Sequence, residues 1–501
     1  MNPEISPADA PMETDPSAMP TDAEVVPLFV DLDGTVIATD VFCESLVAAL
    51  KLRLRLLLQV PQWAARGRPA LKRALSEHIT PDPHTLPYHT DVLEFLAAEQ
   101  KKGRPIILAT ATAGRWAGQL ADHLGLFSDV LSSDAHRNLK GPQKLLAIQD
   151  YCRAHGYRTF AYMGDAHVDL HIWREAAEIY VVKPSHAMLQ RIRALREPAA
   201  IFGQRPARWR AVLRVMRPHQ WVKNVLLFAP LVLAHHLTDV PRLIASLWAF
   251  VAFCACASSV YVLNDLLDIE ADRHHPRKQR RPFAAGTLPV MWGPPLVAGL
   301  LAGGLVLSAV ALPPAFSLVL VIYLVSTILY SFWLKRRVLI DVFVLAGLYT
   351  LRIMAGGAAT DLPISEWFMA LSLFLFTSLA FAKRYTELTG LKSEEDGLAR
   401  GRGYRLEDMR FIESIGPTCG YLAVLVLALY INSEGVKVYY AHPRLLWPVC
   451  PLMLYWISRL WLFATRRSLH EDPVIFAVTD RVSLATGALV ALSALAASMP
   501  W

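Results

Sequence analysis

The amino-acid sequence predicts a soluble α/β domain built on a parallel sheet, joined to an all-α bundle of nine membrane spans. Three observations predict it. Short apolar runs at residues 25–30, 105–109, 159–163 and 179–182 are separated by helix-length segments, the alternation that a parallel sheet requires. Of 501 residues, 54% are hydrophobic and 19% charged, with a mean hydropathy of +0.33. Soluble domains average about 25% charged residues, so part of the chain belongs in a bilayer. Beyond residue 222 most apolar runs reach the length of about 20 residues that a span needs.

In chain order, residues 1–24 are rich in Pro, Asp, Glu, Ser and Ala, lack the apolar stretch of a signal peptide, and read as a disordered tail. Residues 25–200 form the α/β domain. Within it, 40–99 is too long for a plain crossover and reads as a small helical cap. Its stretch 50–58 mixes leucines with Lys51, Arg53 and Arg55, a pattern that suits an anionic membrane surface or an ordinary solvated helix face. Residues 201–222, with Arg205, Arg208, Arg210, Arg214 and Arg217 beside Trp209 and Trp221, read as a basic amphipathic linker at the bilayer interface. The transmembrane domain is then 223–501. Its candidate spans run roughly 223–238, 243–263, 290–312, 315–334, 338–356, 366–383, 414–432, 444–463 and 482–500.

The net charge of +7 raises the possibility of nucleic acid, but the basic residues lie mainly between apolar runs, which membrane topology explains and nucleic-acid binding does not. Loops after spans two, four, six and eight hold most of them, including Arg277, Arg281, Lys335, Arg337, Lys383, Arg384, Lys392, Arg400, Arg402 and Arg466. This bias predicts a multi-pass protein of the inner (cytoplasmic) membrane, with the N-terminal domain and both sites cytoplasmic and Trp501 outside. Six cysteines without Cys-x-x-Cys spacing argue for neither a disulfide framework nor a zinc site.

In open α/β sheets the chemistry sits just past the carboxyl ends of the strands. After the first apolar run comes Asp31-Leu32-Asp33-Gly34-Thr35, after the second Thr110, and after the third Gly164-Asp165 with Asp169 close behind. Between the last two, Asn138-Leu139-Lys140-Gly141-Pro142-Gln143-Lys144 opens a predicted helix. This ordered set resembles the haloacid-dehalogenase-like (HAD) phosphatases over residues 25–195, which implies a Rossmann-like domain. The resemblance makes Asp31 the nucleophile that forms an aspartyl-phosphate and Asp33 the group that protonates the leaving oxygen and later activates water. Thr110 and Lys140 would bind phosphoryl oxygens, with Lys144 as the alternative to Lys140. Asp31, Asp165 and Asp169 would hold Mg²⁺.

The second cluster is Asn264-Asp265-Leu266-Leu267-Asp268-Ile269-Glu270-Ala271-Asp272, at the end of an apolar run. At about 100° per residue, Asn264, Asp268, Asp272 and Asp265 fall at roughly 0°, 40°, 80° and 100° around a helix, on one face. Carboxylates so grouped repel one another unless a cation offsets them, and a hard cation such as Mg²⁺ prefers oxygen ligands. Arg281 closes the basic segment that follows, Arg217-Pro218-His219-Gln220-Trp221-Val222-Lys223-Asn224 precedes the first span, and Tyr330 to Lys335 closes the fourth.

Across residues 210–501 these motifs resemble the UbiA-type intramembrane prenyltransferases. Within that superfamily they look most like the decaprenyl-phosphate phosphoribosyltransferases, through residues 217–224, Asp341, Arg352, Lys383-Arg384 and Asp472-Pro473. The resemblance implies transfer of 5-phosphoribose from phosphoribosyl diphosphate to a polyprenyl phosphate, with Mg²⁺ held by Asp265, Asp268 and Asp272. Asn264, Lys223, Arg281, Lys335, Arg352, Lys383 and Arg384 become candidate substrate-binding groups. Arg352 is the most telling, because a charge inside a span is costly unless it faces a cavity or a partner. Glu387, Asp472 and Asp480 are candidate acids for a second metal. The HAD-like domain would then remove the 5-phosphate. Two other readings compete: prenyl transfer to an aromatic acceptor beside a separate phosphatase, and a lipid transporter or scaffold. The transporter predicts ionisable groups near the midplane, whereas here most fall at span ends.

Overall fold

The computed structural model describes residues 25–52, 59–79, 82–134, 137–204, 207–276, 278–390, 403–469 and 472–499. The expected tail 1–24, and Arg53, Arg55, Arg205, Arg277, Lys392, Arg400, Arg402 and Trp501, lie outside the described residues. The chain divides into two compact units, Met1–Ala207 with Ala285–Val290, and Arg208–Ala284 with Met291–Trp501.

Among the described residues, the first unit holds a parallel sheet of six strands: β1 (Leu28–Val30), β2 (Ile106–Ala113), β3 (Asp129–Ser133), β4 (Ala161–Gly164), β5 (Glu178–Val182) and β6 (Ala200–Phe202). Their spatial order is β3-β2-β1-β4-β5-β6. The apolar runs of the central strands are continuous because both faces are covered. In β1, Leu28 and Val30 join a core cluster with Ile106, Leu108 and Met163, while Phe29 packs among Ile107, Tyr162 and Ile179. Strands β3 and β6, which the apolar runs do not announce, are edge strands with partly exposed residues, so they need no unbroken apolar run. Helices α1 (Val41–Leu52), α2 (Val60–Ala65) and α3 (Arg68–His78) occupy the expected cap. Helix α4 (Thr90–Lys101) buries Val92 and Leu96 in the sheet's own core cluster. Helices α5 (Gly114–Leu124), α6 (Pro142–His155), α7 (Leu170–Glu175) and α8 (His186–Arg193) complete the unit.

In the second unit, α9 (Arg208–Met216) buries Ala211 and Val215 and exposes Trp209, as an amphipathic lead-in should. Among the described residues, eight helices are long and apolar enough to cross a membrane. They contain α11 (Val240–Leu267), α13 (Gly293–Ala311), α14 (Pro314–Phe332), α15 (Ile340–Thr360), α16 (Glu366–Thr389), α17 (Met409–Ile431), α18 (Val449–Thr465) and α20 (Arg481–Ser498); the short α10 (Ala229–Leu233) precedes them, and α12 (Ile269–Arg273) and α19 (Pro473–Thr479) lie between spans. The nine expected spans are met by these eight and by a broken segment where the first was placed: a 3₁₀ run, Pro218–Phe228, followed by α10. Pro218 and Pro230, which lack a donor N–H, stand at the start of each piece.

Helix packing here depends on small residues, since a bilayer offers no hydrophobic drive between helices. Gly356 on α15 is the sharpest case: a Cβ there would lie 2.0 Å from the Leu227 carbonyl oxygen. Gly347, nine residues earlier on the same helix, has nothing within 4 Å of that position. A buried ion pair also ties α15 to α16, with Arg384 Nε 2.6 Å from Asp341 Oδ2 and the Tyr404 hydroxyl donating to Asp341 Oδ1 at 2.7 Å. Gly356→Leu is therefore expected to cost roughly 1–3 kcal/mol through overpacking, read as a lowered thermal midpoint of the detergent-purified protein. Gly347→Leu should leave the midpoint close to wild type. Equal losses in both variants would refute the close-packing assignment.

Candidate active sites

In the first unit, parallel register places the motif residues together. Val30 lies opposite both Leu108 and Met163, so Asp31, Thr110 and Asp165 emerge at the same end of adjacent strands. Gly34 makes the turn after Asp33 with φ +82°, and a Cβ there would lie 2.3 Å from Asp165 Oδ2. The turn thus needs glycine for conformation and for space.

The Asp31, Asp165 and Asp169 oxygens come within 4.8 Å of one another. Burial and the neighbouring carboxylates push Asp165 well above the ordinary carboxylate range, and burial raises Asp169 to about 6. A buried, all-oxygen acidic set of this kind fits a hard divalent cation, which would offset that repulsion. Asp33 is raised to about 7 by burial and by Asp40. Its two oxygens accept from Val41 N at 2.9 Å and from Thr112 Oγ1 at 2.6 Å.

The cation beside Asp31 is Lys144, not Lys140. Lys144 is buried, with Nζ 2.9 Å from Asp31 Oδ2 and donating to the Tyr162 hydroxyl at 3.1 Å, and Tyr162 in turn donates to Asp169 Oδ1. Lys140 is exposed on the loop before α6, whereas Lys144 lies in its first turn. Helical direction decides between the two, which spacing alone leaves open. Thr110 is fully buried, and its Oγ1 accepts from Thr112 N. Thr112, Tyr162 and the cap residue Lys72, which donates to the Ala111 carbonyl at 2.8 Å, escaped the sequence reading. Thr112 stands two residues after Thr110, and this spacing was the available signal. Tyr162 and Lys72 carried none.

In the second unit, Asn264, Asp265, Asp268 and Asp272 do not ride one unbroken helix. α11 ends at Leu267, Asp268 takes φ −101° and ψ 11°, and α12 begins at Ile269. Arg281 nevertheless bridges the break, reaching Asp265 Oδ1 at 3.1 Å and Asp272 Oδ2 at 2.6 Å, and Arg217 pairs with Asp265 as well. Among the described residues, Asp265, Asp268 and Asp272 do not converge into a three-carboxylate set as Asp31, Asp165 and Asp169 do. The all-oxygen donors are of the type a hard cation takes, but Arg217 and Arg281 already occupy Asp265 Oδ1 and Arg281 also occupies Asp272, so these arginines would have to give way for a metal to bind. Asn264 donates to Ser331 Oγ at 3.2 Å and faces the adjoining cavity.

That cavity, about 1170 Å³, lies wholly within the second unit. Among the described residues, seven Lys or Arg side chains line it against two carboxylates, Glu387 and Asp472. Of the sequence-proposed binding groups it gathers Lys223, Asn264, Arg281, Arg352 and Lys383, but not Lys335 or Arg384. Arg384 is spent on Asp341, Glu387 and the Tyr330 hydroxyl. Lys335 lies on a short 3₁₀ turn, Leu334–Arg336, beyond α14.

Asp472 accepts from both Lys223 and Lys383 at 2.8 Å, and these two ammonium groups hold its carboxyl well below the usual range. Two lysines on one oxygen leave it poorly suited to a second metal. Asp480 is likewise engaged, by Arg459 at 2.6 Å and by the backbone N–H of Ser483.

Arg352 is 5% exposed. Its Nε donates to Asn224 Oδ1 at 2.9 Å, and its other nitrogens donate to the Tyr323 hydroxyl and the Leu348 carbonyl. The rings of Tyr323, Phe253 and Tyr349 stand 4.9, 5.5 and 5.5 Å from the guanidinium. It does not snorkel to an interface. Among the described residues no carboxylate pairs with it. Asn224 lay in the quoted segment, and Tyr349 precedes Arg352 by three residues on one helix face, but the partners on α11 and α14 required the fold.

The haloacid dehalogenase-like hydrolase model matches residues 28–174, and the UbiA prenyltransferase family model matches residues 225–484. The chain is 36% identical, over 93% of its length and 90% of the relative's, to the uncharacterized protein y4nM of Sinorhizobium fredii. It is 38% identical, over 54% of its length and 87% of the relative's, to the nodulation protein NoeC of Azorhizobium caulinodans. Over 35% of its length it is 40% identical to the decaprenyl-phosphate phosphoribosyltransferase of Mycobacterium tuberculosis, spanning 60% of that protein. With its apolar helices, its cation-lined cavity and its acidic strand-end site, this integral membrane protein belongs to the UbiA prenyltransferase family and carries a haloacid dehalogenase-like hydrolase domain at its N-terminus.

Proposed function

We propose that the membrane unit transfers 5-phosphoribose from phosphoribosyl diphosphate to a polyprenyl phosphate, and that the N-terminal domain removes the 5-phosphate from the product. The observation that carries this reading is the cavity's excess of fixed positive charge, which includes a buried Arg352 that, among the described residues, no carboxylate pairs with. A cation desolvated in this way calls for an anionic ligand. Bringing a sugar diphosphate against a lipid phosphate calls for several cations at once, because the two substrates repel each other. The mycobacterial relative, by its name, performs such a transfer on decaprenyl phosphate.

In the transfer, the bond from ribose C1 to the diphosphate breaks, a bond from C1 to a lipid phosphate oxygen forms, and diphosphate leaves. Arg352, Lys223 and Lys383 hold the phosphoryl groups. Arg281, fixed by Asp265 and Asp272, keeps a positive charge over the departing side. Mg²⁺ held by Asp265, Asp268 and Asp272 would neutralise charge developing on the leaving diphosphate.

The product still bears a 5-phosphate monoester, which gives a fused phosphatase something to remove. Asp31 attacks that phosphorus and the ribose oxygen leaves with a proton from Asp33; Asp33 then takes a proton from the water that cleaves the aspartyl-phosphate and frees phosphate, while Lys144 holds Asp31 in line. Asp31, Asp165 and Asp169 would hold the Mg²⁺ that offsets the phosphoryl charge. The basic loops favour placement of both sites on the cytoplasmic face of the inner membrane.

Membranes incubated with labelled phosphoribosyl diphosphate and polyprenyl phosphate should move label into the lipid fraction, and a lipid fraction free of label would end this reading. Arg352→Met should lower kcat/KM for the donor by about 100-fold, the scale of losing a buried charged hydrogen-bonding partner; an unchanged value would remove Arg352 from the site. Asp31→Asn should leave label transfer intact while the lipid product keeps its 5-phosphate. Loss of that phosphate at the wild-type rate would refute the second step alone. Lys144→Met should abolish phosphate release, whereas Lys140→Ala should change it less than about threefold, within the weak range of exposed charges.

A further inference from the structure

We propose that the Tyr162 hydroxyl is a positioning group that keeps the Lys144 ammonium on Asp31 and off Asp169, and so sets how tightly the acidic site of the N-terminal domain holds its cation. The inference rests on the phosphatase half of the proposed function only in taking Asp31, Asp165 and Asp169 as a cation site. It needs neither a lipid nor a phosphoribosyl group.

Tyr162 and Gly164 stand on the same face of β4, two residues apart. The Tyr162 ring is wholly buried in the cluster that holds Phe29, Ile107 and Ile179, and it meets Trp173 edge-on at 6.3 Å. The core therefore fixes where the hydroxyl lies. Gly164 leaves the rest of that face empty, and the 3₁₀ turn His167–Asp169 folds the Asp169 carboxylate back into the space. A Cβ on Gly164 would lie 2.6 Å from Asp169 Oδ2 and 2.8 Å from Tyr162 Cε1, so glycine is what admits the carboxylate beside the ring.

The direction of the hydrogen bonds follows from the groups. An ammonium only donates and a phenol has one proton, so Lys144 donates to the Tyr162 oxygen and Tyr162 donates to Asp169 Oδ1, each at 3.1 Å. The backbone N–H of Ala166 donates to Asp169 Oδ2, also at 3.1 Å. Asp169 is thus held by two neutral donors, an arrangement that orients a metal ligand without neutralising it. Lys144 Nζ lies 2.9 Å from Asp31 Oδ2, and among the described residues it forms no ion pair with Asp169. Yet the Asp31 and Asp169 oxygens come within 4.8 Å of each other, so the second carboxylate is near at hand. The hydroxyl stands between it and the ammonium. A lysine paired with Asp169 would put its own charge on a metal ligand and compete with the cation. Phenylalanine would fill the same core, so what tyrosine adds is its oxygen.

Tyr162→Phe keeps the ring and removes the hydroxyl. Mn²⁺ takes the same oxygen donors as Mg²⁺, and electron paramagnetic resonance reads its binding without any substrate. In the detergent-purified full chain, the Mn²⁺ binding lost in Asp165→Asn identifies the N-terminal site. Its Kd should rise about 10- to 100-fold in Tyr162→Phe, the usual effect of removing an outer partner of a metal ligand. A smaller rise would overturn the proposal, whatever the variant does to stability or turnover. In a Lys144→Gln background the same Tyr162→Phe change should move Kd less than about threefold, because the competing charge is gone; a larger change would show that the lysine has no part in the effect and would also overturn it. Equal Mn²⁺ binding by wild type and Asp165→Asn would remove the cation site and the proposal together. A wild type that binds Mn²⁺ at this site but releases no phosphate from a phosphomonoester would end the phosphatase reading, and the Kd comparison would still decide the role of Tyr162.

Discussion

Arg352 lies in the middle of an apolar bundle, and among the described residues its guanidinium meets only neutral acceptors: an asparagine oxygen, a tyrosine hydroxyl and a backbone carbonyl. Much of the second unit is arranged around that constraint. Asn224 is held in place by its own bond to Cys254, the 3₁₀ run that carries it replaces a ninth straight helix, and Gly356 lets that run press its backbone against α15. Three aromatic rings exclude water without supplying a counter-charge. A carboxylate in their place would satisfy the guanidinium and leave nothing for a phosphate to do.

The cavity's other charges follow the opposite rule. Asp265 and Asp272 share Arg281, and Asp472 takes two lysines on one oxygen. These acids hold the cations in fixed positions, so the cost of ordering long basic side chains is met before any ligand arrives. Among the described residues the site therefore combines a buried cation that no carboxylate pairs with, Arg352, with four held by carboxylates, Arg217, Lys223, Arg281 and Lys383. That combination suits ligands carrying more than one phosphate, and it makes a substitution at Arg352 a different experiment from one at Lys223 or Lys383.

The N-terminal unit solves a related problem with carboxylates in excess. Asp31, Asp165 and Asp169 crowd together at the ends of β1 and β4, and Lys144 offsets only part of that charge. The sheet makes such crowding possible: parallel neighbours bring the ends of strands far apart in sequence side by side, with helices covering both faces. Gly34 is required because the turn leaves no room for a side chain against Asp165.

Local chemistry was enough for the sequence to determine the parallel-sheet domain, the membrane bundle, the acidic strand ends and the polar residues at span ends. Apolar runs, turn glycines and grouped carboxylates are properties of neighbouring residues, and they read directly. Edge strands β3 and β6 escaped because half-exposed strands need no apolar run. The break at Asp268, and the replacement of a first span by a 3₁₀ segment, depended on packing rather than propensity. Only the tertiary structure could select Lys144 over Lys140, withdraw Arg384 and Lys335 from the cavity, and give Asp472 to two lysines. Each of those outcomes turns on which long side chain meets which carboxylate across different helices, and in a low-dielectric interior that meeting, not the residue type, decides whether a charge is spent or available.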